Sequence, residues 1–241
     1  MPYSYYYGFD WTYFVLLLPC LLLSMWASSN VNSTFRKYSQ QHSSRRITGA
    51  DAARRVLAAN GVQGVRIDRV SGNLTDHFDP KTNVIRLSDS VYSATSTAAI
   101  GVACHEAGHA VQYAQNYGPI KLRAAIIPVT NFGSKIAMPL ILIGVLLSAM
   151  GEISYTFIYL GIAAFSLSLV FQLVTLPVEF NASRRAMQAI ESANILTEEE
   201  QRGARKTLRA AAMTYVAATA VSLAQLLRLI LIFGGRGRRR D

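Results

Sequence analysis

AIGVACHEAGHAVQYA, residues 99–114, carries two histidines and a glutamate within a run of small and apolar residues. The run lacks proline and is rich in alanine, which favours a helix over about residues 95–116. At roughly 3.6 residues per turn, His105 and His109 lie one above the other on one helix face, where both can bind one metal ion. Glu106 lies about 100° around the helix, so it can reach a water on that ion without sharing the ligand face. Two histidines on a buried helix without a metal are the competing interpretation.

A metal ion held by two histidines needs a third protein ligand before a water can complete the four positions typical of catalytic zinc. One class of motif continues with Gly and His three and six residues after the second histidine, but these positions are Gln112 and Gln115 here. The third ligand must therefore come from elsewhere in the chain. The candidates are His42, His77, Asp76, Asp79, Glu152, Glu179, Glu191 and the run from Glu198 to Glu200.

Glu179 is the favoured third ligand. It follows Pro177, which is predicted to begin a helix directly after two apolar runs, on the same predicted side of the membrane as the histidine helix. The acids at 198–200 are better explained as residues of a first helical turn. His77 and Asp79 stay open as alternatives because they flank a predicted strand, although a turn also explains Asp79.

The bulk composition predicts a membrane protein. Hydrophobic residues make up 51% of the 241 residues, and the mean hydropathy is +0.23, which is too apolar for an ordinary soluble protein. The net charge of +10 fits either anionic lipid or nucleic acid. The chain shows no nucleic-acid-binding motif, so the lipid bilayer is the expected partner.

Three or four membrane helices are predicted. Residues 9–29 form an anchor of about the length that crosses a bilayer, and since no Lys or Arg precedes it, a retained anchor is favoured over a signal peptide. Residues 124–176 form a hairpin of two spans with a turn at Gly151. Residues 211–233 are long enough to span, but they contain Arg228, so an interfacial helix is a rival interpretation.

The polar segments are predicted to form an α+β domain outside the bilayer. Residues 30–123 contain a short helix that begins at a capping box at Thr48, and two short strands at 65–70 and 83–89. The strand at 83–89 is expected to offer an edge to an extended peptide. Residues 177–210 add a helical part that supplies the third ligand.

Basic residues predict the orientation. They follow the first span and the hairpin at Arg36, Lys37, Arg45, Arg46, Arg54, Arg55, Arg184, Arg185, Arg202, Arg205 and Lys206. Because basic loops stay inside, the polar domain is expected on the cytoplasmic face. A last helix that spans would then put the basic tail, residues 234–241, on the opposite side.

Three blocks resemble the signatures of a known family. LTDHFDPKTNVIRLSDSVY (74–92), HEAGHA (105–110) and LPVEFNASRRA (176–186) are similar, in this order, to those of the YugP-like neutral zinc metallopeptidases of bacterial membranes. The last block also resembles the segment that supplies the third zinc ligand in HtpX-like proteases and CAAX prenyl proteases. The resemblance implies a zincin-like catalytic domain and a multi-pass protein of the bacterial cell membrane. It further implies one Zn²⁺ per chain held by His105, His109 and Glu179, with Glu106 as the catalytic acid/base.

One position departs from the HtpX-like pattern. An Asp one turn after the glutamate, which orients a ligand histidine in that pattern, is Ser183 here. Ser183 or Asn181 is expected to fill this role, with Asp76 as an alternative. Further candidates for contacts with ligands or substrate are Arg184, His77 and the hydroxyls of Tyr113 and Tyr215, which could stabilise an oxyanion.

The favoured function is a membrane zinc endopeptidase that cuts membrane-associated or misfolded proteins at the cytoplasmic surface. An intramembrane protease with residues 98–111 in the bilayer is an alternative, but such enzymes take an Asp from a later membrane helix, and neither hairpin run nor the last apolar stretch contains one. A non-catalytic zinc-binding scaffold is the other alternative. Protein or peptide substrates are expected partners, nucleic acid is not, and self-association is left open.

Overall fold

The computed structural model describes residues 12–234, which form six α-helices and a three-stranded sheet. A π-helical turn, Tyr13–Leu17, leads into the first helix. The elements are α1 (Leu18–Ser39), α2 (Gly49–Ala59), β1 (Arg66–Val70), β2 (His77–Asp79), β3 (Val84–Ser88), α3 (Thr97–Ala114), α4 (Gly118–Leu146), α5 (Glu152–Ser192) and α6 (Glu198–Phe233). The predicted fold class, a mainly helical protein with a short sheet, is confirmed. The first residues of the predicted anchor, 9–11, and residues 235–241 of the basic tail lie outside the described part.

Four helical segments of the described chain are long and apolar enough to cross a membrane. They are Tyr13–Ser39, Gly118–Leu146, Glu152–Ser192 and Glu198–Phe233. Helix α3, which carries both motif histidines, is not among them. The interpretation of α3 as an intramembrane catalytic helix therefore has no support in the fold.

The chain divides into two compact units. Within the described residues, the helix unit consists of 12–26, 126–173 and 216–234. The sheet unit consists of Ala27–Ala125 and Val174–Tyr215, and it contains the three strands together with α2 and α3. Helices α1, α4, α5 and α6 each begin in one unit and end in the other.

Within the helix unit, α4 and α5 pack closely through small residues. A Cβ atom at Gly144 would lie 2.8 Å from the Ser154 carbonyl oxygen, and one at Gly161 would lie 2.8 Å from that of Ala137. The Ser154 hydroxyl donates a hydrogen bond of 2.7 Å to the Gly144 carbonyl. Gly151, at φ 62°, forms the tight turn between the helices. Such small-residue contacts are typical of helix pairs in membranes.

Arg228 lies inside α6, within the apolar stretch of the last candidate span. Its guanidinium carbon is 5.8 Å from the centre of the Tyr13 ring, also in the helix unit. A cation over an aromatic face is attracted by the ring electrons, so this contact offsets part of the desolvation of the arginine.

The sheet has the strand order β1-β3-β2. Strand β3 pairs in parallel with β1, with Arg66 opposite Val84, and antiparallel with β2, with Phe78 opposite Ile85. The predicted strands at 65–70 and 83–89 are therefore confirmed, and they lie side by side in parallel. The expectation that residues 83–89 offer an open edge is wrong, because β3 is central and both of its edges are paired.

Helix α3 lies in the core of the sheet unit. Its N-cap residue Ser96 accepts a hydrogen bond of 3.3 Å from the Ala99 amide. Most of its residues are buried, in one cluster with Ile85 of β3, Ile190 of α5 and Leu208 of α6. The apolar composition of residues 99–114 is thus explained by burial inside a protein core.

The prediction that a new helix begins at Pro177 is wrong, because Pro177 lies inside α5. Helix α5 runs without interruption through Pro177, although a proline inside a helix removes one N–H donor and crowds the carbonyl four residues earlier. Such prolines are tolerated in membrane helices, and α4 contains Pro128 and Pro139 in the same way. Helix α6 is likewise continuous from Glu198, so it joins segments that were predicted as two elements.

Gly108 allows α3 and α5 to approach each other closely. A Cβ atom at this position would lie 2.7 Å from the carbonyl oxygen of Ala182, which follows Glu179 by three residues on α5. A Cβ atom at Gly101 would lie 3.2 Å from the Cβ of Ala204 on α6, a looser contact. The absence of a side chain at Gly108 therefore sets the distance between the motif histidines and Glu179.

We expect Gly108→Ala to destabilise the protein by about 1–3 kcal/mol, because the added methyl group overpacks a contact with backbone that cannot move freely. The apparent melting temperature of the detergent-solubilised protein should fall, and Gly101→Ala should lower it less. Gly118→Ala is the matched control, since a Cβ atom there meets nothing within 4 Å. Equal melting temperatures for Gly108→Ala and Gly118→Ala would contradict this role of Gly108.

Candidate metal centre

Three side chains of the sheet unit converge at one point. Oε2 of Glu179 lies 3.2 Å from Nε2 of His105 and 3.5 Å from Nε2 of His109. All three potential ligand atoms lie within 4.8 Å of one another. Ligands at 2.0–2.2 Å around a tetrahedral ion are separated by about 3.3–3.6 Å, so the two distances from the carboxylate to the imidazoles are close to those between zinc ligands. Two imidazoles and a carboxylate are also a donor set that zinc prefers.

The two histidines come from successive turns of α3, as their spacing predicts. Their ring centres are 4.7 Å apart, and the ring planes are inclined by 84°. The side chains of His105 and His109 are 14% and 11% exposed, whereas that of Glu179 is only 2% exposed. The carboxylate therefore lies at the buried end of the cluster.

Ser183 orients His105. Its hydroxyl oxygen lies 3.1 Å from Nδ1 of the imidazole, which leaves Nε2 directed at Glu179. Ser183 is one turn beyond Glu179 on α5, at the position where the HtpX-like pattern has an Asp. Ser183 or Asn181 was expected to orient a ligand histidine, and in the structure Ser183 contacts His105.

Gln112 orients His109 and fixes its tautomer. The Nε2 group of Gln112 donates a hydrogen bond of 2.9 Å to the carbonyl of Val178, which can only accept. The other amide atom, Oε1, must then be the oxygen, and it lies 3.0 Å from Nδ1 of His109. Since this oxygen can only accept, Nδ1 carries the proton and Nε2 keeps its lone pair for a metal ion.

Asn181 belongs to the same network. Its Oδ1 accepts hydrogen bonds from Nε2 of Gln112 at 2.8 Å and from Nε of Arg185 at 2.7 Å. Arg185 also donates to Gln115, the C-cap residue of α3, so the network joins the two helices that carry the candidate ligands. Sequence analysis missed Gln112 as a site residue, although a glutamine three residues after a ligand on a buried helix face requires a hydrogen-bond partner.

Arg123 is the other site residue that sequence analysis missed. Its Nη1 donates a hydrogen bond of 3.0 Å to Oε1 of Glu179. Arg123 lies in the second turn of α4, and nothing in the sequence pattern distinguishes it from the other basic residues near the membrane spans.

His109 and Glu179 shift each other's protonation. Burial by itself lowers the pKa of His109, but the hydrogen bond to Glu179 and the charges of Glu106 and Glu179 outweigh it, so this pKa lies above its ordinary value. Burial raises the pKa of Glu179, but the hydrogen bonds from His105 and His109 outweigh that effect and keep this pKa below its ordinary value. The site therefore favours a positive charge beside Glu179, which a metal ion can supply in place of a proton.

A cleft of about 240 Å³ opens beside the ligands. Its polar lining includes Glu106, Asp76 and Tyr215, and Glu106 is 8% exposed. The hydroxyl of Tyr215 lies within the electrostatic reach of Glu179, Glu106 and Arg123. The apolar side chains of the lining are Val31, Phe35, Leu74, Val102, Leu208, Ala211 and Ala212.

Asp76 has a structural partner. It accepts hydrogen bonds from the amide and the hydroxyl of Ser88, at 2.7 and 2.9 Å, and so ties the start of β2 to the end of β3. Burial raises the pKa of Asp76, and the nearby charge of Glu106 adds to the shift.

The remaining candidates lie apart from the ligands. His77 is exposed and its Nδ1 contacts the Thr75 carbonyl, while Arg184 is exposed on α5. Tyr113 packs edge-on against Phe78 with ring centres 5.6 Å apart. Asp79 caps a turn through the Lys81 amide and the Thr82 hydroxyl. Among residues 12–234, His105, His109 and Glu179 are the one group of three such side chains close enough to share an ion.

Known proteins resemble this chain over almost its whole length. A family model described as "Putative neutral zinc metallopeptidase" matches residues 13–234. A relative, "Putative membrane protease YugP" of Bacillus subtilis (strain 168), is 49% identical over 218 residues, which cover 90% of this chain and 95% of that protein. No solved structure matches the chain. The resemblance predicted from the three sequence blocks is thus confirmed. The chain belongs to this family of neutral zinc metallopeptidases.

Proposed function

We propose that the protein is a membrane-anchored zinc endopeptidase that hydrolyses membrane-associated or misfolded proteins. The observation that carries the proposal is the approach of one buried carboxylate oxygen, Oε2 of Glu179, to the Nε2 atoms of both motif histidines. The family and the relative's name support a protease in general terms. The substrates and the residue roles below are part of the proposal.

His105, His109 and Glu179 would hold the metal ion. When bound, Zn²⁺ supplies a Lewis acid that polarises a peptide carbonyl and makes a water easier to deprotonate. Gln112 keeps His109 in the tautomer that leaves Nε2 free for binding, and Ser183 contacts Nδ1 of His105 so that its Nε2 faces Glu179.

Glu106 is the proposed general base and acid. It follows His105 on α3, and its side chain lines the same cleft as His105 and Glu179. Its carboxylate accepts a proton from the attacking water as the water oxygen bonds to the peptide carbonyl carbon. It then gives this proton to the leaving nitrogen as the C–N bond breaks. The hydroxyl of Tyr215, which hydrogen-bonds Glu179, would turn to donate a hydrogen bond to the carbonyl oxygen as that oxygen becomes negative.

The cleft supports substrates with apolar side chains next to the cleaved bond, because most of its lining is apolar. Pairing of an extended peptide with a strand would give sequence-tolerant binding. Strand β2 is the strand for this role, since it pairs on one side only within the described sheet and packs against α3 through Phe78.

The cytoplasmic face is the proposed location of the site. If all four candidate spans cross the bilayer, residues 27–125 and 174–215 would lie on one side of it, and their forming one compact unit supports this. The basic residues after the first span and after the hairpin support the cytoplasmic side.

Glu106→Gln should retain zinc and lower the cleavage of unfolded casein by about 10²- to 10⁴-fold, because it removes only the group that transfers protons. Zinc content by mass spectrometry and fragment release over time provide the measurements. The matched control is Glu191→Gln, which removes the charge of an exposed glutamate on α5. Unchanged cleavage by a zinc-loaded Glu106→Gln variant would exclude this mechanism, and a zinc-loaded wild type without cleavage would favour the scaffold.

Glu179→Gln should reduce the zinc content from about one ion per chain to a small fraction, because a neutral amide replaces the anionic ligand. The isosteric glutamine preserves the shape of the site, so the loss should appear without unfolding. Glu191→Gln should again keep the wild-type zinc content. A Glu179→Gln variant with unchanged zinc stoichiometry would remove Glu179 from the ligand set.

Zinc affinity should fall as the pH is lowered through the raised pKa of His109, because the ion and a proton compete for the same nitrogen. In the metal-free protein the sign is opposite: the stabilisation from protonated His109 is complete below its unfolded pKa of about 6.5 and disappears as the pH rises through the folded value. The difference in melting temperature between zinc-loaded and metal-free protein should therefore shrink on going from about pH 8 to about pH 6. A constant difference would show that His109 does not compete for the ion.

A further inference from the structure

The two oxygens of Glu179 contact different partners. Oε2 faces the histidines, and Oε1 accepts a hydrogen bond of 3.0 Å from Nη1 of Arg123. The carboxylate side chain is 2% exposed, so water competes little for either oxygen. The Tyr215 hydroxyl also donates a hydrogen bond to this carboxylate, but the charged neighbours differ: Oε2 faces the imidazoles and Oε1 faces the guanidinium.

The contact with Arg123 is persistent. A guanidinium stays protonated at every working pH, and a charge-assisted hydrogen bond to a buried carboxylate is among the strongest that proteins make. Nε of Arg123 is buried and has no hydrogen-bond partner among residues 12–234. The hydrogen bond to Glu179 is thus the interaction that holds this end of the side chain in place.

We propose that Arg123 is a positioning residue that makes Glu179 a one-oxygen metal ligand. This inference rests on the proposed function, because it takes His105, His109 and Glu179 as the metal ligands. A carboxylate can bind a cation through one oxygen or through both. If Oε1 also bound, Glu179 would fill a second position that catalytic zinc must leave open for water.

Arg123 acts through Glu179 and not on the substrate. It is absent from the residues that line the cleft, and its contact is with the oxygen of Glu179 that points away from the histidines. Its removal should therefore change the coordination of the metal, which can be measured without any substrate.

The test uses the protein with Co²⁺ in place of zinc. The visible absorption of bound Co²⁺ becomes weaker as the coordination number of the ion increases. Arg123→Met should weaken this absorption and lower the zinc affinity about tenfold, because Oε1 becomes free to bind and the supporting hydrogen bond is lost. Only one nitrogen of Arg123 contacts Glu179, so Arg123→Lys should restore most of the wild-type absorption. Lys121→Met is the matched control: it removes a positive charge from an exposed position in the same part of α4.

Wild-type absorption and affinity in Arg123→Met would overturn the role of Arg123 and leave the metal centre intact. Arg123→Gln, which also removes the charge, gives the same test if the methionine variant does not fold, and the same result would overturn the proposal. A wild-type protein that binds neither Co²⁺ nor Zn²⁺ would instead overturn the metal centre, and with it both the proposed function and this inference.

Discussion

The structure of the site depends on one constraint, an ionised carboxylate that is almost completely removed from water. Burying a single carboxylate without a partner is unfavourable by several kcal/mol. Glu179, on α5, is compensated from two other helices: α3 supplies two imidazoles, and α4 supplies one guanidinium. The packing of these three helices therefore brings the compensating groups to Glu179. Close contacts such as that at Gly108 are for this reason part of the site.

Local sequence patterns predicted much of the fold and the centre of the site. The spacing of His105 and His109 follows from the helical repeat alone, and the helix that carries them is present. The hairpin with its turn at Gly151, the helix capped by Thr48 and the strands at 65–70 and 83–89 also follow from short-range signals. Glu179 was selected by its place after the hairpin, and the structure brings it beside both histidines.

Features that depend on distant residues could not be predicted. Gln112 and Arg123 have partners 66 and 56 residues away, and no local pattern encodes such contacts. Strand β2 has only three residues, too few for an alternating pattern to be recognised. Pro177 carries a local signal for a helix start, but the tertiary setting overrides it and α5 continues.

The hydrogen bond from Gln112 to Val178 has a consequence for how the site tolerates sequence change. The final acceptor is a main-chain carbonyl, so replacing the side chain at position 178 by any other residue leaves it in place. The protonation of His109 therefore depends on the backbone of α5 at Val178 and on the side chain of Asn181, but not on the side chain at position 178. Substitution at position 178 is limited by the packing of its buried side chain. It is not limited by the hydrogen bond that orients His109, because the main chain supplies that acceptor.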